Sequence, residues 1–465
     1  MNKRFTEMTT QPVSRLLVKM SVPTIITMLI SAMYNMADTY FVGSIGTTAT
    51  AAVGVSFSLM AIIQAVGFFF GQGAGNFISR ELGAQRTENA ARMAATGLVM
   101  SFLVTAAVAI AGLILLEPLA MMLGSTPTIL PHAREYLTFV LIGAPWMASA
   151  FTLNTILRFQ GSAFYGMIGM ASGAFLNIVL DPIFIFVLDM GVSGAALATM
   201  ISQIASFLLL LAGSRSGNNI RIRIRNFSPT RSTFREIVRG GTPSLCRQSI
   251  ASVAAISLNR MAGQFGDEAI AAMSIVQRVS MLANAAVLGW GQGFQPICGF
   301  NFGAGLYRRV KSAFRFCVKT ACLTQCVLAA IAFVYAPEIV ELFRKDDAAV
   351  IAIGSLALRF QCLTFPTTGW VVPNNMMLQN IGRPGYATLI ALARQGLFLL
   401  SFLFILTPAY GLPGVQLAQP LADIATVILT IPISLSAMRS MPDDDVPIVR
   451  LMEKPNAEFV NDMLD

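Results

Sequence analysis

Along most of the chain, apolar runs of about 20–30 residues alternate with short polar or glycine-containing turns. That is the rhythm of helices that must satisfy every backbone hydrogen bond inside hydrocarbon. The runs predict membrane-crossing helices at roughly 15–43, 50–72, 93–116, 136–157, 166–188, 193–213, 236–263, 270–296, 314–336, 349–378, 386–407 and 412–436, about twelve in all. Two runs break the pattern in a way that a lipid-facing helix does not need. The fifth contains "NIVLDPIFIFVLD" (177–189), in which the carboxylate of Asp181 is followed by Pro182. The first carries Thr24, Thr27, Ser31, Tyr34 and Asp38 at intervals of three and four, which aligns them along one helix face.

Composition agrees with the pattern. Of 465 residues, 55% are hydrophobic and 12% charged, against about a quarter charged in a soluble globular domain, and the mean hydropathy is +0.67. The fold class is an all-α polytopic membrane protein. Lys3 and Arg4 are not followed by a short apolar region with a cleavage site, so the first run is expected to remain in the protein.

Charge supplies the orientation. Arg80, Arg86 and Arg92 lie between runs two and three, seven arginines from Arg215 to Arg239 lie around the link between six and seven, and Arg308, Arg309 and Lys311 lie between eight and nine. The alternate loops "GSIGTTATAA" and "GQFGDEA" are nearly bare, although Arg344 and Lys345 stand beside Asp346 and Asp347. By the positive-inside rule both termini are cytoplasmic, in a multi-pass protein of the cytoplasmic (inner) membrane. The net charge of +9 is then mostly topology, "IRIRIRNF" (220–227) is a linker, and no nucleic-acid partner is expected. The acidic "PDDDVPIV" after Met441 is most simply a solvated end.

The six cysteines form no CxxC, so neither a disulfide framework nor a metal cluster is expected, and Cys322 and Cys326 are best taken as small buried hydrophobes. No phosphate-binding Walker pattern is present. The single histidine, His132, is placed in an outer loop. No nucleophile and base stand together, so the chain is not expected to be an enzyme or to hold an organic cofactor.

The chain repeats itself. Gly71-Gln72-Gly73 recurs as Gly291-Gln292-Gly293, Gly83-Ala84 as Gly303-Ala304, Pro23 as Pro243, and Gly191, Gly194 and Ala198 as Gly411, Gly414 and Ala418. With one slip, Pro145, Asn154 and Gly161 match Pro366, Asn375 and Gly382. Two bundles in the same orientation follow: a cytoplasmic N-terminus (1–14), an N-lobe of six helices (15–213), a basic linker (214–235), a C-lobe of six helices (236–436) and a cytoplasmic tail (437–465). Such repeats are a common build of secondary transporters. The halves differ at polar positions. Asp38 pairs with Leu258, Asn177 with Leu397, Asp181 with Ser401 and Thr199 with Gln419. The N-lobe is thus expected to hold two intramembrane carboxylates and the C-lobe none. In their place stand Arg247, Arg278 and Arg394, beside Gln248, Gln277 and Gln395.

Isolated hydroxyls in a membrane helix often bond back to their own backbone. A whole stripe ending in an acid reads better as the wall of a wet cavity, because intramembrane acids are rare and usually face a cavity or partner. Asn177 and Asp181 are four apart and share a face, and Pro182 offers no N–H to the Ile178 carbonyl. The group is oxygen-rich, suited to a proton or to a small cation. Na⁺ would be held by Asp38, Asn177, Asp181 and Thr199. A lone carboxylate near the bilayer centre costs about 3 kcal/mol on insertion scales, and either ion would offset that cost. Tyr136 and Thr199 fall at the same depth, although Tyr136 alone would be an interfacial anchor and Thr199 a packing residue.

"YNMADTYFVG", "NIVLDPIF", the paired Gly-Gln-Gly segments and the two-times-six build together resemble the MATE (multidrug and toxic compound extrusion) transporters over about 15–436, nearest the MepA-like and DinF-like bacterial branch. The resemblance implies a V-shaped pair of bundles that alternate access. It also implies an N-lobe coupling group at Asp38, Tyr136, Asn177, Asp181 and Thr199, a bending proline at Pro23, and cavity-lining Tyr34 and Asn154. The NorM-like branch uses C-lobe acids, which this chain is not expected to have. The implied activity is export of organic, cationic amphiphiles in exchange for H⁺ or Na⁺, by a monomer in the lipid bilayer acting on small molecules. Ser31 and Met33 would line the cavity with Tyr34, the many methionines adapting to varied shapes unless they only face lipid. Arg247, Arg278 and Arg394 could suit an anionic or zwitterionic substrate, but pairing with carbonyls or a place at helix ends is the expectation for all three; Arg247 and Arg278 would be the ones to face a substrate. They keep open a rival, the export or flipping of an amphiphilic or lipid-linked metabolite. A passive channel is the other rival, and it gives the acids no role.

Overall fold

The structure, a computed structural model, describes residues 3–43, 45–217, 219–344, 347–443 and 445, with side chains for all of these except residues 3, 32–40, 43, 47 and 49. The chain divides into two compact units. The first half runs α1 (Lys3–Thr10), α2 (Val13–Gly43), α3 (Thr47–Gly83), α4 (Thr87–Ile114), α5 (Leu116–Met122), α6 (Leu130–Phe159), α7 (Ala163–Pro182) and α8 (Gly191–Ser214). The second runs α9 (Arg231–Ala262), α10 (Asp267–Gly303), α11 (Tyr307–Val334), α12 (Ala336–Phe343), α13 (Ala348–Asn380), α14 (Pro384–Leu392), α15 (Leu400–Tyr410) and α16 (Leu412–Arg439). The repeat survives in element boundaries: Thr47 starts α3 as Asp267 starts α10, Thr87 answers Tyr307, and Leu116 answers Ala336. The turns repeat as well, with left-handed glycines at Gly161 and Gly382 and at Gly191 and Gly411.

Among the described residues, eleven helices are long and apolar enough to cross a membrane. The expected helix at 236–263 is present as α9. It falls outside those eleven because Arg235, Glu236, Arg239, Arg247 and Arg260 dilute its apolar surface. The short helices α5 and α12 were hidden at the ends of longer apolar runs. His132 sits in the first turn of α6 rather than in a loop.

In the first unit α6 is the axis, buried almost continuously from Pro145 to Phe159. α3 lies close against it because Gly67, Gly71 and Gly75 recur every turn on one face. A Cβ at Gly75 would fall 2.0 Å from the Phe159 ring, and one at Gly67 2.8 Å from the Ala148 carbonyl. Thr152 Oγ1 donates to the Gly67 carbonyl at 3.0 Å. The linker is tied to this unit, Ile220 N–H donating to Gln160 Oε1 at 2.8 Å and Ser228 N–H to Thr96 Oγ1 at 3.1 Å. In the second unit α13 takes the corresponding place, with Gly369 packed on the Cys322 backbone of α11 and Gly291 on Met376. All six cysteines are free. Met441, Asp443 and Asp445 dock on the start of α11: Lys311 Nζ donates to the Met441 carbonyl at 3.0 Å and lies 2.7 Å from Asp443 Oδ1, and Arg308 N–H donates to Asp445 Oδ1 at 3.0 Å. That part of the acidic end is therefore held, not merely solvated.

The two first helices change unit part-way along. The first unit comprises Val22–Gly241 and the chain up to Met8, whereas Thr9–Ser21 belongs with the second unit, from Thr242 onward. The tip of α2 thus packs on α10, where a Cβ at Gly293 would strike Ser21 at 2.2 Å. The tip of α9 packs on α3, where a Cβ at Gly73 would lie 2.3 Å from the Ile237 carbonyl, and Arg80 bridges Glu236 at 3.2 Å. The second glycine of each Gly-Gln-Gly segment is therefore the seat of a crossing backbone. Each crossing occurs just before a proline inside the helix, Pro23 in α2 and Pro243 in α9.

Candidate functional site

In the first unit Asn177, Asp181 and Thr199 meet between α7 and α8. Asp181 and Asn177 are fully buried and Thr199 nearly so. Asn177 Nδ2 donates to Asp181 Oδ1 at 3.2 Å and to Thr199 Oγ1 at 3.3 Å. Because Asn177 spends its donor side on both neighbours, its carbonyl Oδ1 is buried without a donor among the described residues. Beyond Pro182 the helix widens into a π-turn over Ile183–Val187, with Leu188 N–H bonded to the Ile183 carbonyl at 2.9 Å. Such widened turns recur at functional sites, and this one begins directly after Pro182, which has no N–H to offer. A carboxylate, an amide oxygen without a donor and a hydroxyl are all hard oxygen ligands, so the donor set fits a small cation or a proton. Among the described residues no group of three or more His, Cys, Asp or Glu is placed to hold a metal ion.

Tyr136 is also fully buried, packed with Ile185, Val192, Ala195 and Ala196 beside the π-turn. That burial rules out an interfacial anchor. Asp38, Tyr34 and Met33 lie outside the described side chains. Along the hydroxyl stripe, Thr27 Oγ1 donates to the Pro23 carbonyl at 2.8 Å and Ser31 Oγ to the Thr27 carbonyl at 2.9 Å. The hydroxyls therefore bond back to their own helix, Thr27 buried and Ser31 half-buried, and the Pro23 carbonyl gains a partner where the helix changes unit. Asn154 is buried against Gly166, whose missing side chain makes room for its Oδ1.

The second unit corrects the expectation of a C-lobe without intramembrane acids. Asp423, on α16, is 1% exposed and bound from all sides. Arg394 Nε donates to Oδ1 at 2.8 Å and Gln419 Nε2 to the same oxygen at 2.9 Å. Gln361 Nε2 and Thr364 Oγ1 reach Oδ2 at 3.0 and 3.4 Å. The acid aligns with Gln203, not with Asp38 or Asp181, so a comparison confined to those two positions passes over it. A single acid in the apolar run 412–436 was the available signal. Arg394 sits in a second π-helical stretch, Ala393–Leu399. Its partner is a carboxylate rather than the carbonyl or helix end first expected. Arg247, Gln248, Gln277, Arg394 and Gln395 all line one cavity within this unit, whereas Arg278 is exposed and outside it.

Comparison with known proteins agrees with this layout. A family model described as MatE matches residues 23–183 and again 243–405, one copy starting at each crossing proline. The multidrug export protein MepA of Staphylococcus haemolyticus (strain JCSC1435) is 26% identical over 433 residues, covering 93% of this chain and 95% of its own length. An outward-facing multidrug resistance MATE family transporter of the MOP superfamily superposes with a TM-score of 0.88 at 27% identity, over 95% of this chain and 99% of its own. A MATE structure in the bent conformation gives 0.89 at 27% identity, over 95% and 99%.

Proposed function

This chain belongs to the MatE family, whose members are transporters and not enzymes, and on that premise we propose that it exports structurally varied organic compounds, cationic amphiphiles foremost, in exchange for H⁺ or Na⁺. The observation that carries the proposal is Asp181. It is a fully buried carboxylate held by an amide that shares its donor with Thr199 and leaves its own oxygen open. Burying a carboxylate in a low-dielectric site is costly, so occupancy by a cation or proton changes which packing of α7 and α8 is favoured.

In the proposed cycle, Asp38 and Tyr136 complete the group with Asn177, Asp181 and Thr199. Pro23, at the point where α2 changes unit, lets the first helix bend when the group is filled. The substrate path takes in Ser31, Met33, Tyr34 and Asn154. The protein works as a monomer in the cytoplasmic membrane with both termini inside. The resemblance to MepA supports multidrug export as the substrate class. The arginines of the second unit favour a second reading, export of an amphiphilic or lipid-linked metabolite.

The test is efflux of a fluorescent lipophilic cation from proteoliposomes under separately imposed proton and sodium gradients. Wild-type efflux should follow one gradient and fall by about tenfold or more in Asp181→Asn, the loss expected when a group needed for coupling is neutralised. Undiminished gradient-driven efflux in folded Asp181→Asn would refute the coupling role.

A further inference from the structure

The cavity of the second unit has a volume of about 450 Å³ and is lined by α9, α10, α13, α14, α16 and the π-helical stretch that carries Arg394. That size suits a drug-like molecule. Two guanidinium groups line it, and they are not equivalent. Arg394 is committed to Asp423 at 2.8 Å. Arg247, half-buried on α9, has no hydrogen-bond or ion-pair partner among the described residues. The pocket therefore carries one uncompensated positive charge. Its floor is apolar and adaptable, from Met273, Val276, Met281 and Val372.

We infer that this cavity is a binding site of its own for organic monoanions, which would place an apolar body in the cavity and an anionic group on Arg247. A carboxylate matches the guanidinium best because two of its N–H groups can engage both oxygens at once. Asp423 does not repel such a ligand, since Arg394 and the amides of Gln361 and Gln419 already hold its charge. All the lining residues belong to the second unit, so the site is separate from Asn177, Asp181 and Thr199. It does not depend on the cation-export proposal and would widen the range of compounds the protein handles.

The probe is dansylglycine, an aromatic monoanion with one N–H donor, titrated by fluorescence into the full chain in nanodiscs of zwitterionic lipid. Dansylglycine amide is the neutral isostere. Wild type should bind the acid about tenfold or more tightly than the amide, as charge-assisted bidentate contacts require. Arg247→Gln should abolish the preference, Arg247→Lys should keep part of it, and Asp181→Asn should leave it unchanged. Equal affinity for acid and amide in wild type would overturn the inference, as would a preference that survives in Arg247→Gln. The wild-type comparison decides the matter even if Arg247→Gln does not fold. Loss of the preference in Asp181→Asn would overturn the independence of the two sites. Nanodiscs doped with phosphatidylglycerol separate the sources of the anion. Displacement of dansylglycine assigns the pocket to a lipid headgroup, and its absence assigns it to anions from solution.

Discussion

The Arg394–Asp423 pair makes a quantitative prediction. Removing one partner of a buried ion pair typically costs about 3–5 kcal/mol, most of it the stranded charge, whereas replacing both by apolar groups can be nearly neutral. In Arg394→Met the carboxylate of Asp423, 1% exposed, keeps Gln361, Gln419 and Thr364 as donors. The cost should then sit at the low end, about 3 kcal/mol. In Asp423→Leu the stranded guanidinium, 20% exposed, can turn into the adjoining cavity, and about 2 kcal/mol is expected. The double variant strands no charge, only the amides of Gln361 and Gln419, and should cost about 1–2 kcal/mol. The resulting coupling is about 3–4 kcal/mol, well outside the ~0.5 kcal/mol scatter of independent sites. Unfolding of the four proteins by sodium dodecyl sulfate titration in bicelles, followed by circular dichroism, measures it. A double variant as unstable as the sum of the singles would show that the two residues do not act as a unit.

Two further outcomes follow from packing and charge. Gly75→Ala places a methyl 2.0 Å from the Phe159 ring. It should destabilise the first unit by about 1–3 kcal/mol in the same titration, with partial recovery in Gly75→Ala/Phe159→Leu, and no recovery would mean that the ring is not the obstacle. At the other end, the hydrogen bond and charge of Lys311 hold the Asp443 carboxyl below its ordinary value. A depressed value means that the docking is fully present above the ordinary carboxylate range and is lost only as pH falls through the lower one. Deuterium uptake by the 437–445 peptide should therefore rise at more acid pH than free aspartate titrates, and Asp443→Asn should remove that acid transition.

Much of the architecture was legible because hydrocarbon enforces it. A helix that must close its own hydrogen bonds declares its length in an apolar run, and glycines that seat a crossing backbone repeat because the crossing repeats. The grouping of Asn177 with Asp181 was readable from four-residue spacing, and their meeting with Thr199 from depth. The fate of the hydroxyl stripe was not readable, since Thr27 and Ser31 choose between water and a carbonyl one turn back by small differences in local packing. Asp423 was visible as an acid in an apolar run, but its pairing with Arg394 spans two helices far apart in the chain and has no local signature. The exchange of helix tips was equally hidden, because Val13–Ser21 reads as the ordinary start of a membrane helix whichever unit receives it.

That exchange bears on how such a chain could have arisen. Cut at the basic linker, neither half would be self-sufficient: one would leave the groove at Gly73 bare, the other the groove at Gly293. An ancestral single copy would have met the same difficulty. Its simplest solution is an obligate homodimer in which each molecule lends the tip of its first helix to its twin. Gene fusion would then have converted a concentration-dependent association into a permanent one. Once joined, the two copies would be free to diverge, as they now differ: Asn177 holds an acid in one and an arginine neutralises an acid in the other.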